Sequence, residues 1–283
     1  QRFNDADRDK TEHLVDLAIN LTRKLSSDLD LQMGVARKQR APSYQERYLW
    51  GPFQSTSGLA DGNNYLGDIN LDPETAYQFE LGLDWHQPDF ALSPRIFYHH
   101  INDYIQGVAA TDPLAIAAST MMGDSTPLQF SNVDAQLYGV DTGWFAALSD
   151  HWQLDGTISY VRGERRDTSD NLYRVAPLTA RTQLSYVEPD WQLGVELVNV
   201  AAQSKVSAEN EEAKTSGYSL INLTGEYQFN QQLTVYAGVN NVFDRRYDEH
   251  LGGYNRAVNP DIAIGDRIPG VGRNAYVTLS MSW

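Results

Sequence analysis

Long apolar runs are missing from this sequence of 283 residues, and so are cysteine and an excess of positive charge. A membrane-spanning helix needs about 20 consecutive apolar residues, whereas the apolar stretches here, such as 144–148, extend over only a few residues. The mean hydropathy of -0.47 agrees with that observation. The sequence therefore excludes a helical membrane protein. It still allows a membrane β-barrel, because only every second side chain of a barrel strand contacts lipid.

The other two absences exclude further functions. Without cysteine the chain has no thiol nucleophile, and it also lacks the Gly-x-Ser-x-Gly pattern of serine hydrolases. Lysine and arginine number 22 against 37 acidic residues, which gives a net charge of -15. Because phosphate binding needs a basic surface, we expect no nucleic-acid partner. The first residues are polar and do not form a signal peptide, so we expect either a removed leader or a start inside a larger protein.

Apolar and polar residues alternate with a period of two along most of the chain, which predicts β-strands. One face of each strand is aliphatic and aromatic, and the other carries Gln, Thr, Ser, Asp, Glu and Gly. Such a polar face cannot fill a dry core, so it predicts a wide barrel with a hydrated or plugged interior. Eleven strands are predicted, near 11–24, 29–39, 73–86, 92–107, 132–148, 151–164, 177–187, 190–203, 217–229, 232–242 and 272–283.

The connections between these strands alternate between short and long. The short turns lie at 26–28, 87–91, 149–150, 188–190 and 230–231, and the long loops at 40–72, 108–131, 165–176, 204–216 and 243–271. Short periplasmic turns and long extracellular loops are typical of outer-membrane barrels. Tryptophan favours the membrane interface, and five of the six lie near the short turns: Trp85, Trp144, Trp152, Trp191 and Trp283.

The direction of the strands indicates what portion of a barrel this is. The last predicted strand runs from a long loop towards Trp283, and the first also runs from the loop side to the turn side. Bacterial single-chain barrels have an even number of strands, so residues 1–10 are predicted to be extracellular. We therefore expect residues 1–283 to be the C-terminal portion of a longer barrel, with the plug domain and N-terminal strands absent.

Four segments resemble motifs of the TonB-dependent receptors: Arg40–Tyr48, Leu71–Gly82, Gly238–Tyr247 and Gly270–Tyr276. The resemblance implies an all-β, antiparallel transmembrane barrel of 22 strands closed by a plug, of which about eleven strands are present. It implies a non-enzymatic receptor of the bacterial outer membrane that imports a scarce ligand. Its partners would be the lipid bilayer, lipopolysaccharide and TonB, which would bind a TonB box outside this chain.

Three further regions resemble the copper-receptor branch of this family: Thr120–Asp134, Leu154–Gly163 with Asp170–Arg174, and His250–Arg256. That resemblance implies a copper ion as the transported ligand and no required cofactor. Copper(I) prefers thioethers and copper(II) prefers imidazole. The candidate metal ligands are Met121, Met122, His99, His100 and His250. These residues also have ordinary structural roles that do not involve metal. The methionines can pack among the loops, and each histidine can lie at the membrane–water interface.

Other ligands and functions make different demands on the sequence. An anionic siderophore (a ferric chelate) could bind arginines, although these can equally pair with lumen carboxylates: Arg95, Arg162, Arg165, Arg166, Arg174 and Arg181. Heme receptors place a histidine between two motifs that here contain Pro42 and Pro73, and this chain has none there. A passive porin predicts an open lumen without a plug. A barrel enzyme predicts a complete small barrel with a catalytic cluster at one rim.

Overall fold

A computed structural model describes residues 5–54, 61–258 and 260–282. Eleven long strands form one antiparallel meander in chain order, and two short strands, Phe53–Gln54 and Asn64–Leu66, join it beside the long strand Leu128–Ala147. No helix among these residues is long and apolar enough to cross a membrane. The strands are β1 (Leu17–Lys24), β2 (Leu29–Arg40), β3 (Phe53–Gln54), β4 (Asn64–Leu66), β5 (Glu74–Gln87), β6 (Phe90–Ala109), β7 (Leu128–Ala147), β8 (Trp152–Arg165), β9 (Thr179–Val187), β10 (Trp191–Val200), β11 (Tyr218–Gln228), β12 (Leu233–Asn240) and β13 (Asn274–Met281).

The register of the sheet separates an apolar face from a polar one. Directly paired residues make rows across the strands, and successive residues along a strand point to opposite faces. One row from β1 to β8 reads Leu21, Met33, Leu81, Ile96, Val140 and Tyr160. The adjacent row reads Thr22, Gln32, Gly82, Arg95, Asp141 and Ser159. The predicted opposition of a lipid face and a lumen face is therefore confirmed.

The tryptophans lie at the short-turn end of the sheet, as predicted. Trp85 packs edge-on against Phe90 with ring centroids 4.9 Å apart. The ring centroid of Tyr186 lies 5.1 Å from that of Trp152 and 5.5 Å from that of Trp191. Such a girdle marks one membrane interface of a barrel. The fifth predicted member, Trp283, lies outside the described residues.

Two strands depart from the predicted pattern. β1 begins at Leu17 rather than near residue 11, because the Asp16 carboxylate accepts the Gln39 N–H at 2.9 Å in place of a backbone partner. β6 shifts register between Ile101 and Tyr104, with Asp103 at a φ of 58°. This β-bulge lies just beyond the histidine pair, where the alternation of the sequence is poorest.

Within the described residues, the long loops contain two helices that the alternation did not predict. Helix α1 (Tyr44–Tyr48) begins with a capping box between Ser43 and Glu46. Helix α2 (Pro113–Met121) begins with an Asp112 cap and a proline in its first turn. Buried apolar residues lie mainly at this loop end of the sheet, in a cluster of Tyr65, Leu71, Ile105, Leu128 and Phe130. The core therefore stabilises the loops, while the lower strands stay apolar outside and polar inside.

Candidate functional site

A cavity of about 690 Å³ lies on the inner face, between strands β9–β13 and the loop that precedes β13. Polar and apolar side chains share its walls. The strands contribute Arg181, Glu196, Tyr218, Asn222, Asn240 and Asn274, and the loop contributes Tyr247, Glu249, His250 and Leu251. These strand residues belong to the lumen rows that the alternation predicted, so the cavity is a direct result of the polar face.

The charges of this cavity are acidic on balance. Arg181 Nη1 lies 3.4 Å from Glu196 Oε1, and Asn222 Nδ2 donates to Glu196 Oε2 at 2.6 Å. The arginine is thus compensated by its neighbour, while Glu249 adds a second carboxylate without a paired cation among the described lining residues. The cavity therefore presents carboxylate and amide oxygens, which suit a cation better than an anion.

A buried carboxylate joins three of the long loops above the cavity. The Glu212 side chain is only 2% exposed, and it accepts hydrogen bonds from the Ser207 N–H at 2.9 Å and the Arg174 N–H at 3.0 Å. His250 Nε2 lies 3.0 Å from the same carboxylate, and Thr215 Oγ1 lies 3.1 Å from His250 Nδ1. His250 is therefore part of a loop–loop contact, with both ring nitrogens close to polar partners.

Arg267 stabilises the same contact from the other side. Its Nη1 donates to the carbonyl oxygen of His250 at 2.6 Å, and its Nη2 donates to that of Ala213 at 3.2 Å. The guanidinium also lies 4.7 Å from the ring centroid of Tyr254, a distance suited to a cation–π interaction. The loop before β13 and the loop before β11 are therefore joined through this residue as well as through Glu212.

A second carboxylate, Asp170, orders the start of the loop between β10 and β11. It accepts hydrogen bonds from the N–H groups of Ala208 at 3.0 Å and Glu209 at 3.1 Å, and from the Ser207 hydroxyl at 3.1 Å. Burial raises the pKa of Asp170, but these bonds outweigh it and hold the pKa below its usual value. The charged form is therefore the one that orders the loop.

Asp170→Asn is expected to reduce the hydrogen-exchange protection of the Ala208 and Glu209 amides about fivefold at neutral pH, because neutral acceptors are weaker than charged ones. The folded-state pKa is depressed, so the stabilisation is present above the unfolded pKa near 4. It is lost as pH falls through the folded pKa. The difference in protection between the two proteins should therefore vanish in acid. Asp167→Asn is the matched control, since Asp167 pairs with the Arg165 side chain and should leave both amides unchanged.

Asp61 attaches a fourth long loop to one of the three loops that Glu212 joins, through tyrosine hydroxyls. Its Oδ2 accepts from the Tyr65 hydroxyl at 2.5 Å and from the Tyr173 hydroxyl at 2.9 Å. Burial, followed by the charge of Asp61, raises the pKa of both tyrosines, so both remain hydroxyl donors across the physiological range. The loop between β2 and β5 is therefore attached to the loop between β8 and β9.

The methionine candidates lie at the end of α2 and face outward. Met121 is 84% exposed and Met122 is 52% exposed. The helix itself is held in place, because Ser119 is buried and accepts a hydrogen bond from Asn64 Nδ2 at 2.8 Å. The two thioethers are thus displayed to solvent on an anchored helix.

The histidine candidates are separated from the methionines and from one another. His99 lies in a lumen-facing row, while His100 faces outward and lies 2.8 Å from Arg166 Nη1 through its Nε2. His250 lies in the loop contact described above. Among the described ranges no group of three or more His, Asp or Glu side chains could hold a metal ion. The buried carboxylates Glu212 and Asp170 were not among the sequence candidates.

A family model described as TonB dependent receptor-like, beta-barrel, matches residues 6–242. The chain belongs to the TonB-dependent receptor family. Members of this family are transport receptors that form β-barrels in the bacterial outer membrane. The predicted fold class, location and family are therefore confirmed.

Several curated relatives of this TonB-dependent receptor chain are named for the uptake of iron chelates or heme. The ferrienterobactin receptor of Escherichia coli (strain K12) is 24% identical over 288 residues, covering 94% of this chain and 36% of that protein. The heme/hemopexin utilization protein C of Haemophilus influenzae (strain 86-028NP) is 25% identical over 287 residues, covering 94% and 37%.

Solved structures show the same fold. Copper transporter OprC matches with a TM-score of 0.80 at 24% identity, over 95% of this chain and 39% of that one. The ferric enterobactin receptor PfeA of Pseudomonas aeruginosa matches with a TM-score of 0.69 at 19% identity, over 95% and 40%. The chain thus spans about two fifths of the length of the proteins it matches.

Proposed function

We propose that this chain belongs to an outer-membrane receptor that captures copper ions at its extracellular loops and imports them with energy supplied through TonB. The observation that carries the proposal is the exposed thioether pair of Met121 and Met122 on an anchored helix. Both thioethers are open to solvent, so a metal ion from outside can reach them without a change in the loop. Soft sulfur ligands select copper(I) over the hard cations that are more abundant outside a cell.

The cavity on the inner face supports a cationic cargo. Its single arginine is paired with Glu196, and Glu249 leaves a net negative lining. A metal cation released from the outer loops would meet carboxylate and amide oxygens there. The name of one structural neighbour, copper transporter OprC, agrees with this proposal. The structural likeness itself shows only that the two proteins share a fold.

A ferric siderophore is the second candidate, and the names of several relatives favour it. Such a ligand is anionic and would need unpaired guanidinium groups in the vestibule. Both Nη atoms of Arg267 donate instead to carbonyl oxygens that join two loops, and Arg181 is paired with Glu196. The lining among the described residues thus favours copper.

The test is copper capture by the full-length receptor in outer membranes. Met121→Ala combined with Met122→Ala is expected to weaken copper(I) binding at least about tenfold, because both soft donors are removed. Copper bound at limiting concentrations is measured by mass spectrometry of the washed membranes. The matched control is Leu114→Ala, which removes an equally exposed apolar side chain, 82% exposed, from the same helix and should change nothing.

Two results would contradict this proposal in different ways. Undiminished copper binding by the double variant would remove the methionine site while leaving a copper receptor possible. Import of ferric enterobactin without any receptor-dependent copper uptake would instead replace copper by the siderophore as cargo.

A further inference from the structure

Tyrosines mark the loop-side edge of the lipid-facing surface. Tyr98 on β6, Tyr138 on β7 and Tyr160 on β8 all belong to outward-facing rows of the sheet. Tyrosine favours the membrane–water interface, and barrels carry aromatic girdles at both interfaces. These residues therefore mark the outer interface, opposite the tryptophans at the short turns.

The next outward row contains cationic side chains. Direct pairing joins Arg37 to Tyr77, Tyr77 to His100, and His100 to Gln136. Gln136 in turn pairs with Glu164, whose carboxylate is neutralised by Arg162 at 2.7 Å. Arg166, which directly follows β8, reaches this row by donating from Nη1 to His100 Nε2 at 2.8 Å. The row therefore lies one step beyond the apolar band and brings two guanidinium groups to the outer surface of the sheet.

Both guanidinium groups have only neutral partners. Arg37 Nη1 donates to the Val15 carbonyl oxygen at 2.7 Å and to Gln39 Oε1 at 2.8 Å, and Arg166 contacts Asn102 in addition to the histidine. Over the described part of the chain, neither has a carboxylate within 4.0 Å. Other arginines of this acidic chain do have one: Arg40, Arg162, Arg165 and Arg181.

We propose that Arg37, His100 and Arg166 form a binding site for the phosphate groups of an outer-leaflet glycolipid of the lipopolysaccharide type. The planar guanidinium matches phosphate oxygens in pairs, and basic surfaces beside a membrane attract anionic headgroups. Arg37 and His100 are two strands apart, which is about 10 Å at the usual strand spacing, so two phosphates can bind side by side. The site requires the outer-membrane location of the family and is independent of the transported ligand.

The test measures lipopolysaccharide binding to the full-length receptor in detergent. Arg37→Gln combined with Arg166→Gln is expected to weaken the binding at least about tenfold, because two charge-assisted contacts are lost. The glycolipid retained after purification and re-added by titration is quantified by native mass spectrometry. The control is Arg23→Gln, on the same outward face but at the short-turn end of β1, where Arg23 lies directly opposite Leu31. This variant should stay within twofold of the parent.

Three outcomes would overturn the site. They are equal lipopolysaccharide binding by the double variant and the parent, equal binding of a dephosphorylated glycolipid, and displacement by inorganic phosphate at concentrations comparable to the lipid. The last would indicate a site for free phosphate. Heat-modifiable migration on a gel verifies folding, and Arg166→Gln alone, at an exposed position, serves if the double variant does not fold.

Discussion

Gly139→Ala is expected to lower the free energy of unfolding of the receptor by about 2–3 kcal/mol. Gly139 lies on the inner face of β7, directly opposite Phe97. A Cβ there would lie 2.6 Å from Phe97 Cζ and would also collide with the carbonyl oxygen of Tyr160. Because the second obstacle is backbone, rotation of a side chain cannot relieve it, and the pairing of β7 with β8 has to shift.

Gly143→Ala is the matched control on the same strand and face. The nearest atom to its Cβ would be the Gly156 carbonyl oxygen at 3.9 Å, which is ordinary contact. Alanine should be neutral there or stabilise by up to about 1 kcal/mol, because it restricts the unfolded chain. Urea unfolding followed by tryptophan fluorescence measures both variants. Equal midpoints for the two would show that the space beside Phe97 is not closed as described.

Glu212→Ala should open the extracellular loops. The substitution leaves the Ser207 and Arg174 N–H groups without their acceptor and His250 buried without its acidic neighbour. Unsatisfied buried groups cost about 1–3 kcal/mol each, so a loss near 3 kcal/mol of local stability is expected. That corresponds to about hundredfold faster amide exchange in the loops before β11 and β13.

Glu211→Ala provides the comparison for this prediction. Glu211 is exposed and lies next to Glu212 in the sequence. Its backbone has a φ of 50°, and glutamate and alanine both place a Cβ there, so the substitution adds no backbone strain. Hydrogen exchange of the full-length receptor, read by mass spectrometry, should change for Glu212→Ala alone. Similar exchange in both variants would mean that the Glu212 carboxylate does not hold the loops together.

All eleven long strands could be predicted because lipid outside and water inside impose opposite polarity on successive residues. The helices were missed although their local signals were present, in the Ser43–Glu46 capping box and the Asp112–Pro113 start. Alternation describes only strands, so a search restricted to it overlooks caps inside long loops. The bulge at Asp103 was signalled only by poor alternation nearby.

The candidate site was less accessible to sequence reasoning. His250 was selected for its imidazole and does line the cavity, but its partners could not be inferred. The hydrogen bond between Asp170 and Glu209 joins residues 39 positions apart in the sequence, and the one between Gln106 and Asn210 joins residues 104 positions apart. Such pairs depend on how loops of different hairpins fold over the sheet, and no periodicity encodes that. The metal-ligand roles of the methionines and histidines stay predictions.

The hairpin of β6 and β7 has strands of 20 residues each, whereas about ten residues of tilted strand cross a bilayer. The remaining half, at about 3.3 Å per residue, is long enough to stand some 20 Å or more clear of the headgroups. Helix α2 lies at the outer end of this hairpin. A solute arriving from the medium would therefore meet its sulfur atoms before it meets the mouth of the barrel.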